Sequence, residues 1–410
     1  MRGLKEVILS ITNRCNLHCR MCDIPLGSVG ELPFEEWQKV IHDASRLGAQ
    51  TVVFSGGEPL IRQDIFDLVK YAKNNNMNAC ITSNGTLLDE VKAVKLKECG
   101  VNVVNISIEG TKETHDSLRG AGSFDKAISA LNYLRNNRIE STVASTVSRY
   151  NYTDLLFILE VAKDCGATTV RLQPFNLIFL QNDSRMNEFF INEDQARKLA
   201  EIISKFIDTA KEYKIATNPA SYLSKISGYL NGKKLYPSSC GALWYSCPIN
   251  PNGDVFPCWI EGANNNLVGN VARDGLYRLW LSEKRIKIVN SIIKRGCSGC
   301  LMSCYDEVFD GQLSKESVIK KAKKLSKITD YKKVMNKVYQ FFNSQVTNLK
   351  LRYRYYISYR GSVWRLFKRR ATGIFNKAAR ANEKSRPDKD KILSEIIKAK
   401  ARINKEVRAL

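Results

Sequence analysis

Through the first half of the chain, hydrophobic and polar positions switch between two periods. Short apolar runs rich in β-branched residues occur at Val7–Thr12, Thr51–Ser55, Ala79–Ser83, Val103–Glu109, Ser141–Val147 and Thr168–Gln173. Stretches with helical spacing separate them. Strands that alternate with helices predict an α/β fold whose parallel sheet is built from βα units. Three segments repeat one pattern of amphipathic helix, terminal glycine and apolar strand: Ala44 to Ser55 around Gly48, Val94 to Ile108 around Gly100, and Ala162 to Gln173 around Gly166. A glycine just past a helix suits the left-handed C′ position. Cys80, Cys99 and Cys165 lie in or beside these elements and are read as core, where cysteine is commonly found. A polar, helical stretch runs from about Asn182 to Tyr236. Beyond it, Asn250-Pro251-Asn252-Gly253-Asp254 is a turn signal before a short strand, the pattern of a small hairpin.

The loop after the first apolar run changes the picture. Cys15, Cys19 and Cys22 form a C-x3-C-x2-C pattern directly behind Val7–Thr12. Thiolates at this density hold iron-sulfur cubes, and a four-iron cube normally takes four protein ligands. Three close cysteines leave one iron open, and an open metal position can bind a small molecule. The competing reading is a zinc knuckle or a set of buried thiols. His18, His42 and His115 do not cluster in sequence, which argues against a histidine-ligated metal.

These cysteines, with the motifs behind them, resemble the radical SAM superfamily. Cys15, Cys19 and Cys22 match its C-x3-C-x-Φ-C signature, with Met21 where an aromatic is more usual. Ser55-Gly56-Gly57-Glu58-Pro59-Leu60 is similar to its GGEP motif, and Thr82-Ser83-Asn84-Gly85-Thr86 to the strand end that follows. Ser107-Ile108-Glu109-Gly110 and the stretch His115 to Gly120 are similar to its ribose and carboxylate contacts. The resemblance covers residues 5 to about 305 and implies a partial (β/α)6 barrel, with the motifs at the C-terminal ends of the strands. It implies a SAM-binding 4Fe-4S cluster on Cys15, Cys19 and Cys22 as the catalytic centre. It also implies S-adenosylmethionine contacts from Met21, Gly56, Gly57, Glu58, Pro59, Asn84, Ser107, Glu109 and Arg119. The glycines would admit the backbone to the methionine amino group, and Arg119 would pair with the carboxylate. One electron would cleave the S–C5′ bond, and the 5′-deoxyadenosyl radical would take a hydrogen atom from substrate.

A second cysteine group comprises Cys240, Cys247, Cys258, Cys297, Cys300 and Cys304. Cys240, Gly253 and Cys258 read C-x12-G-x4-C, similar to the opening of the auxiliary-cluster domains called SPASM and Twitch. Cys297 and Cys300 supply a second half. The run C-x2-C-x3-C departs from a full SPASM pattern, and six cysteines cannot fill two closed cubes. One auxiliary Fe-S cluster is therefore expected, most simply on Cys240, Cys258, Cys297 and Cys300, with Cys304 or Cys247 able to replace one of them. Structural zinc on the same residues is the alternative. Trp259 stands where the sulfatase-maturing branch has aspartate. Few residues precede the first strand to form a leader-binding domain, and the chain ends Arg408-Ala409-Leu410 rather than in Gly-Gly. These departures leave oxidation, epimerisation or bond formation on an unidentified substrate. A non-catalytic metal-binding or nucleic-acid-binding protein is the competing class.

Composition divides the 410 residues unevenly. Residues 311–410 hold 28 Lys and Arg against 7 Asp and Glu, a net +21 of the chain's +23. The expected division is a radical SAM core over 1–215, an auxiliary-cluster domain over 216–310 and a basic helical extension over 311–410. Between Tyr331 and Asn382 there is no acidic residue. Trp364, Phe367, Ala371, Ile374 and Phe375 share one helical face, the pattern of a helix lying in a membrane interface. An anionic membrane surface is the first reading of this extension, a cap on the core the second and nucleic acid the third. There is no signal peptide and no apolar run of about 18 residues. Twelve cysteines in such a chain point to metal or redox use in a reducing, cytoplasmic setting, with a reductant such as flavodoxin or ferredoxin as partner.

Overall fold

The computed structural model describes residues 4–27, 30–180, 183–233, 242–263, 266–295 and 300–302. All of them belong to one compact unit, Gly3–Gly311. The basic extension, Cys240, Cys297 and Cys304 lie outside the described residues.

The six expected strands form in order: β1 (Glu6–Thr12), β2 (Thr51–Gly56), β3 (Asn78–Ser83), β4 (Val103–Ser107), β5 (Glu140–Val147) and β6 (Thr169–Pro174). Helices α1 (Phe34–Arg46), α2 (Ile65–Asn74), α3 (Glu90–Glu98), α4 (Lys112–Arg119), α5 (Ser123–Asn136), α6 (Leu155–Cys165) and α7 (Glu193–Glu212) lie between and behind them. Each pair from β1–β2 to β5–β6 is parallel, as the βα alternation requires. Gly48, Gly100 and Gly166 end their helices at φ 90°, 83° and 73°, the left-handed geometry expected of them. β4 stops two residues before the end of its apolar run. There the Glu109 N–H leaves the sheet and donates to His115 Nδ1 at 3.2 Å.

Four later strands extend the sheet: β7 (Ala216–Thr217), β8 (Ser246–Ile249), β9 (Asp254–Val255) and β10 (Gly269–Asn270). The order is β10-β9-β8-β1-β2-β3-β4-β5-β6-β7. β8 lies parallel to β1, with Glu6 opposite Ser246 and Leu9 opposite Ile249. β9 is antiparallel to β8 around the expected turn. Residues on both sides of position 215 thus share one sheet.

The two faces of the strands differ. Val52, Phe54, Ala79, Ile81, Val104, Ile106, Val143, Val170 and Leu172 are fully buried and join the helices in one core. On α1 the stripe Trp37, Val40, Ile41 and Ala44 supplies the matching apolar face. Alternate strand residues point the other way. That second face carries Ser55, Cys80, Thr82, Asn105, Thr146 and Gln173, all partly open to solvent. A polar, accessible face suits a ligand rather than a second core. Cys99 and Cys165 are buried as expected. Cys80 is not core: the period of the strand turns it to the polar face beside Thr82.

Candidate functional site: a cysteine loop at the C-terminal edge of the sheet

The loop 13–23 leaves the C-terminal end of β1 and is held by its neighbours' backbones. Gly57 N–H donates to Thr12 O at 2.7 Å and Glu58 N–H to Arg14 O at 2.9 Å. Arg20 N–H donates to Leu118 O at the end of α4, and Asp23 N–H to Phe179 O at 2.7 Å. The glycines permit this docking. A Cβ on Gly57 would lie 2.2 Å from Arg14 O, and one on Gly56, at φ 128°, 2.2 Å from Thr12 O. Their missing side chains thus make room for the cysteine loop itself. Below it, buried Arg62 reaches Ile11 O and Leu32 O, each at 3.2 Å, and pairs with Asp64 and Glu31.

Cys15, Cys19 and Cys22 are half-buried, free thiols. Burial is the first cause that raises all three pKa values, Cys22 to about 11; the Cys19 charge adds to this at Cys15 and Cys22, and the Glu109 charge at Cys19. Against this, Asn84 Nδ2 lies 3.7 Å from Cys15 Sγ, and the Arg119 cation lowers Cys19. Met21, between the last two cysteines, turns inward and is buried in the main core.

Two buried carboxylates organise the surroundings. Glu58 accepts from Leu60 N–H at 3.1 Å, Ser83 Oγ at 2.9 Å and Asn84 N–H at 2.8 Å, which ties the β2 loop to the end of β3. Burial holds its pKa above the usual carboxylate range despite these donors. Buried Pro59 continues this turn. Glu109 Oε1 accepts from Arg119 Nε at 2.9 Å and Nη2 at 2.5 Å. Its Oε2 accepts from Ser145 Oγ at 3.2 Å and Thr146 N–H at 2.8 Å. Burial disfavours the Arg119 cation, but Glu109 and the Cys19 sulfur more than compensate and raise its pKa. Ser107 is buried at the end of β4. The structure thus brings Cys15, Cys19, Glu58, Asn84, Glu109 and Arg119 to one edge.

The expected carboxylate-binding Arg119 and the expected ligand-binding Glu58 already have protein partners. Several participants carried no sequence signal. Asn151 donates to Glu109 O at 2.8 Å, and Asn16 donates to Thr86 Oγ1 at 2.7 Å. His115 is fully buried. Its Nδ1 accepts from the Glu109 N–H, so the proton sits on Nε2, which is buried with no partner among the described residues. Burial, then the Arg119 charge, push its pKa down to about 3.

The sequence model of the radical SAM superfamily matches residues 9–161, and that of an iron-sulfur cluster-binding domain, SPASM, matches residues 240–304. The chain belongs to the radical SAM superfamily. A Fe-coproporphyrin III synthase from Methanosarcina barkeri is 30% identical over 234 residues, 56% of this chain and 57% of that protein. The chain thus spans a little over half the length of that relative. An AdoMet-dependent heme synthase from the same organism is 28% identical over 325 residues, 72% of this chain and 90% of that protein. Streptococcus suis SuiB bound to precursor peptide SuiA has the same fold, with a TM-score of 0.57 at 17% identity, covering 71% of this chain and 67% of SuiB.

Radical SAM membership with a SPASM domain implies S-adenosylmethionine, a 4Fe-4S cluster and an auxiliary Fe-S cluster. The residues present fit the first cluster. Three free thiols share one loop, and donors from β3 and α4 approach two of the sulfurs. For the auxiliary site, Cys258 and Cys300 are buried together with Ile260 and Met302, against Ile178, Phe179 and Trp259. Cys247 stands apart, which corrects its expected place among the ligands. It lies in β8 opposite Val7, fully buried in the main core, because the parallel pairing with β1 carries it into the sheet. Burial pushes its thiol up to about 12, the behaviour of a core residue.

Two outcomes are expected. Gly57→Ala forces its Cβ onto the Arg14 carbonyl, an overpacking cost of about 1–3 kcal/mol. Iron analysis after anaerobic reconstitution should show loss of the loop's share. Gly30→Ala, with nothing within 4 Å of its added Cβ, should retain it. His115 is neutral in the fold and titrates near its ordinary pKa of about 6.5 when unfolded. Its contribution is complete above that value and is lost as pH falls towards 3, since the unfolded chain binds the extra proton. Urea unfolding should therefore show wild type losing about 1 kcal/mol more than His115→Gln between pH 7.5 and 5.5.

Proposed function

We propose that this chain is a radical SAM enzyme that removes a hydrogen atom from an organic substrate at a 4Fe-4S cluster held by Cys15, Cys19 and Cys22. When bound, that cluster supplies the electron that cleaves S-adenosylmethionine to methionine and the hydrogen-abstracting 5′-deoxyadenosyl radical. One observation carries the reading: three half-buried thiols share the loop after β1, with Asn84 beside Cys15 and the Glu109-paired Arg119 acting on Cys19. Glu58 acts as a positioning residue that joins the loop after β2 to β3. The Gly56-Gly57 backbone, Ser107 and Arg119 hold the amino, ribose and carboxylate groups of S-adenosylmethionine. Cys240, Cys258, Cys297 and Cys300 hold the auxiliary cluster, and a flavodoxin or ferredoxin supplies electrons.

The domain division proposed is a core over 1–215, an auxiliary domain over 216–310 attached through β8, and the basic extension over 311–410. The names of two relatives, a Fe-coproporphyrin III synthase and a heme synthase, support trying an iron tetrapyrrole early among candidate substrates. Extract fractions split into tetrapyrrole, peptide, lipid and small-molecule pools should each be assayed for stimulation of 5′-deoxyadenosine formation.

Replacement of Cys15, Cys19 and Cys22 together by Ala should leave the auxiliary iron in place and abolish cleavage of S-adenosylmethionine under dithionite. Cleavage at the wild-type rate, or a colourless protein loaded with zinc, would reject the reading. Among the described residues no helix is long and apolar enough to cross a membrane. For the extension we propose attachment to an anionic membrane surface, driven by its basic residues at about 1 kcal/mol each and by the Trp364-to-Phe375 face. Full-length protein should then sediment with anionic liposomes, less so as salt rises, and a chain ending at residue 310 should stay in the supernatant. Equal binding of both chains, or preference of the longer one for RNA, would reject this attachment.

A further inference from the structure

We propose that Asn84 is a positioning residue that sets the electron affinity of the first cluster by donating its side-chain N–H to the Cys15 sulfur. This rests on the assignment of a cluster to Cys15, Cys19 and Cys22. Asn84 Nδ2 stands 3.7 Å from Cys15 Sγ and 3.1 Å from Asn16 Oδ1. Its orientation is set from behind. Oδ1 accepts from Thr86 N–H at 2.9 Å and from Thr86 Oγ1 at 2.7 Å, so the donor end of the carboxamide must face the cysteine. The Asn84 backbone N–H is fixed on Glu58 Oε2 at 2.8 Å. Two side-chain contacts and one backbone contact thus hold a residue that is 7% exposed beside the half-buried sulfur.

The physical consequence has a definite sign. One-electron reduction makes the cluster and its thiolate sulfurs more negative, with no bond made or broken. An N–H directed at a sulfur stabilises the reduced form more than the oxidised form and raises the reduction potential. Such outer contacts tune a metal centre without touching it. Asn84 also differs from Arg119, the donor at Cys19. Arg119 brings a full charge and a carboxylate partner, whereas Asn84 is neutral and its removal leaves no unpaired buried ion.

The test is a potentiometric titration of the full-length, anaerobically reconstituted protein with dithionite and mediators, read by EPR. The signal followed is the one that changes when S-adenosylmethionine is added, which separates the open cluster from the auxiliary one. Asn84→Leu keeps the branch at Cγ and the backbone contact with Glu58 but removes the donor; its midpoint should move to more negative potential. Thr86→Val keeps Asn84 but removes one of the two contacts that orient it, and should move the midpoint in the same direction by less. An unchanged midpoint in Asn84→Leu at full iron content overturns the proposal. Should Asn84→Leu fail to load iron, an unchanged midpoint in Thr86→Val overturns it. A wild-type protein with no signal responsive to S-adenosylmethionine rejects the cluster itself, and this inference with it.

Discussion

The site depends on a conflict of charge. Three thiols are brought into one half-buried loop, and burial, with carboxylate and neighbouring sulfur charges behind it, raises their pKa values. Thiolates are nevertheless what a metal needs. Arg119 relieves part of this conflict at Cys19, and irons held by the three sulfurs would relieve more. The loop is shaped by contacts that do not involve the sulfurs: backbone N–H groups or carbonyls from Gly57, Glu58, Leu118 and Phe179 fix it. Much of the ordering entropy is thus met by the fold before the metal arrives, and less of the binding energy is spent on folding.

Glu58 and Glu109 show how similar residues serve different ends. Both are fully buried and both accept several hydrogen bonds. Glu58 is satisfied by neutral donors from two strand ends, and it acts as a strut. Glu109 takes the guanidinium of Arg119 on one oxygen and strand β5 on the other, so it holds a cation against the cysteine loop. Removing one partner of such a pair leaves a buried charge uncompensated, which costs more than the intact pair contributes. The geometry around Cys19 is therefore tied to the integrity of β4, α4 and β5 together.

Much of this was legible in the chain. The first six strands follow from β-branched apolar runs, because local period and tertiary burial agree there. The cysteine loop was legible because thiol spacing is a chemical signature independent of the fold. The pairing of β8 with β1 was not: it joins strands some 240 residues apart, and no local pattern records a parallel register. That pairing also took Cys247 out of the cysteine group. The close approach of the Thr12 and Arg14 carbonyls to Gly56 and Gly57, a second use of the missing side chains, carried no sequence signal. Asn16, Thr86, Asn151 and the burial of His115 were hidden for a related reason. Single polar residues acquire a role only when distant strand ends converge.

The two cysteine sites meet at one short turn. Phe179 O receives the N–H of Asp23, the residue after Cys22, while Ile178 and Phe179 pack against Cys258 and Cys300. Asn176, at the head of the turn, donates to Tyr229 Oη at 3.0 Å; burial, then the Cys300 charge, raises the Tyr229 pKa to about 12. The turn's carbonyl is one of the anchors of the first loop. The loop that carries Cys22 and the buried pair Cys258 and Cys300 thus share this turn as a common support. That shared support is also why the short connection after β6 matters more to the chemistry than its unremarkable sequence, Asn176-Leu177-Ile178-Phe179, suggests.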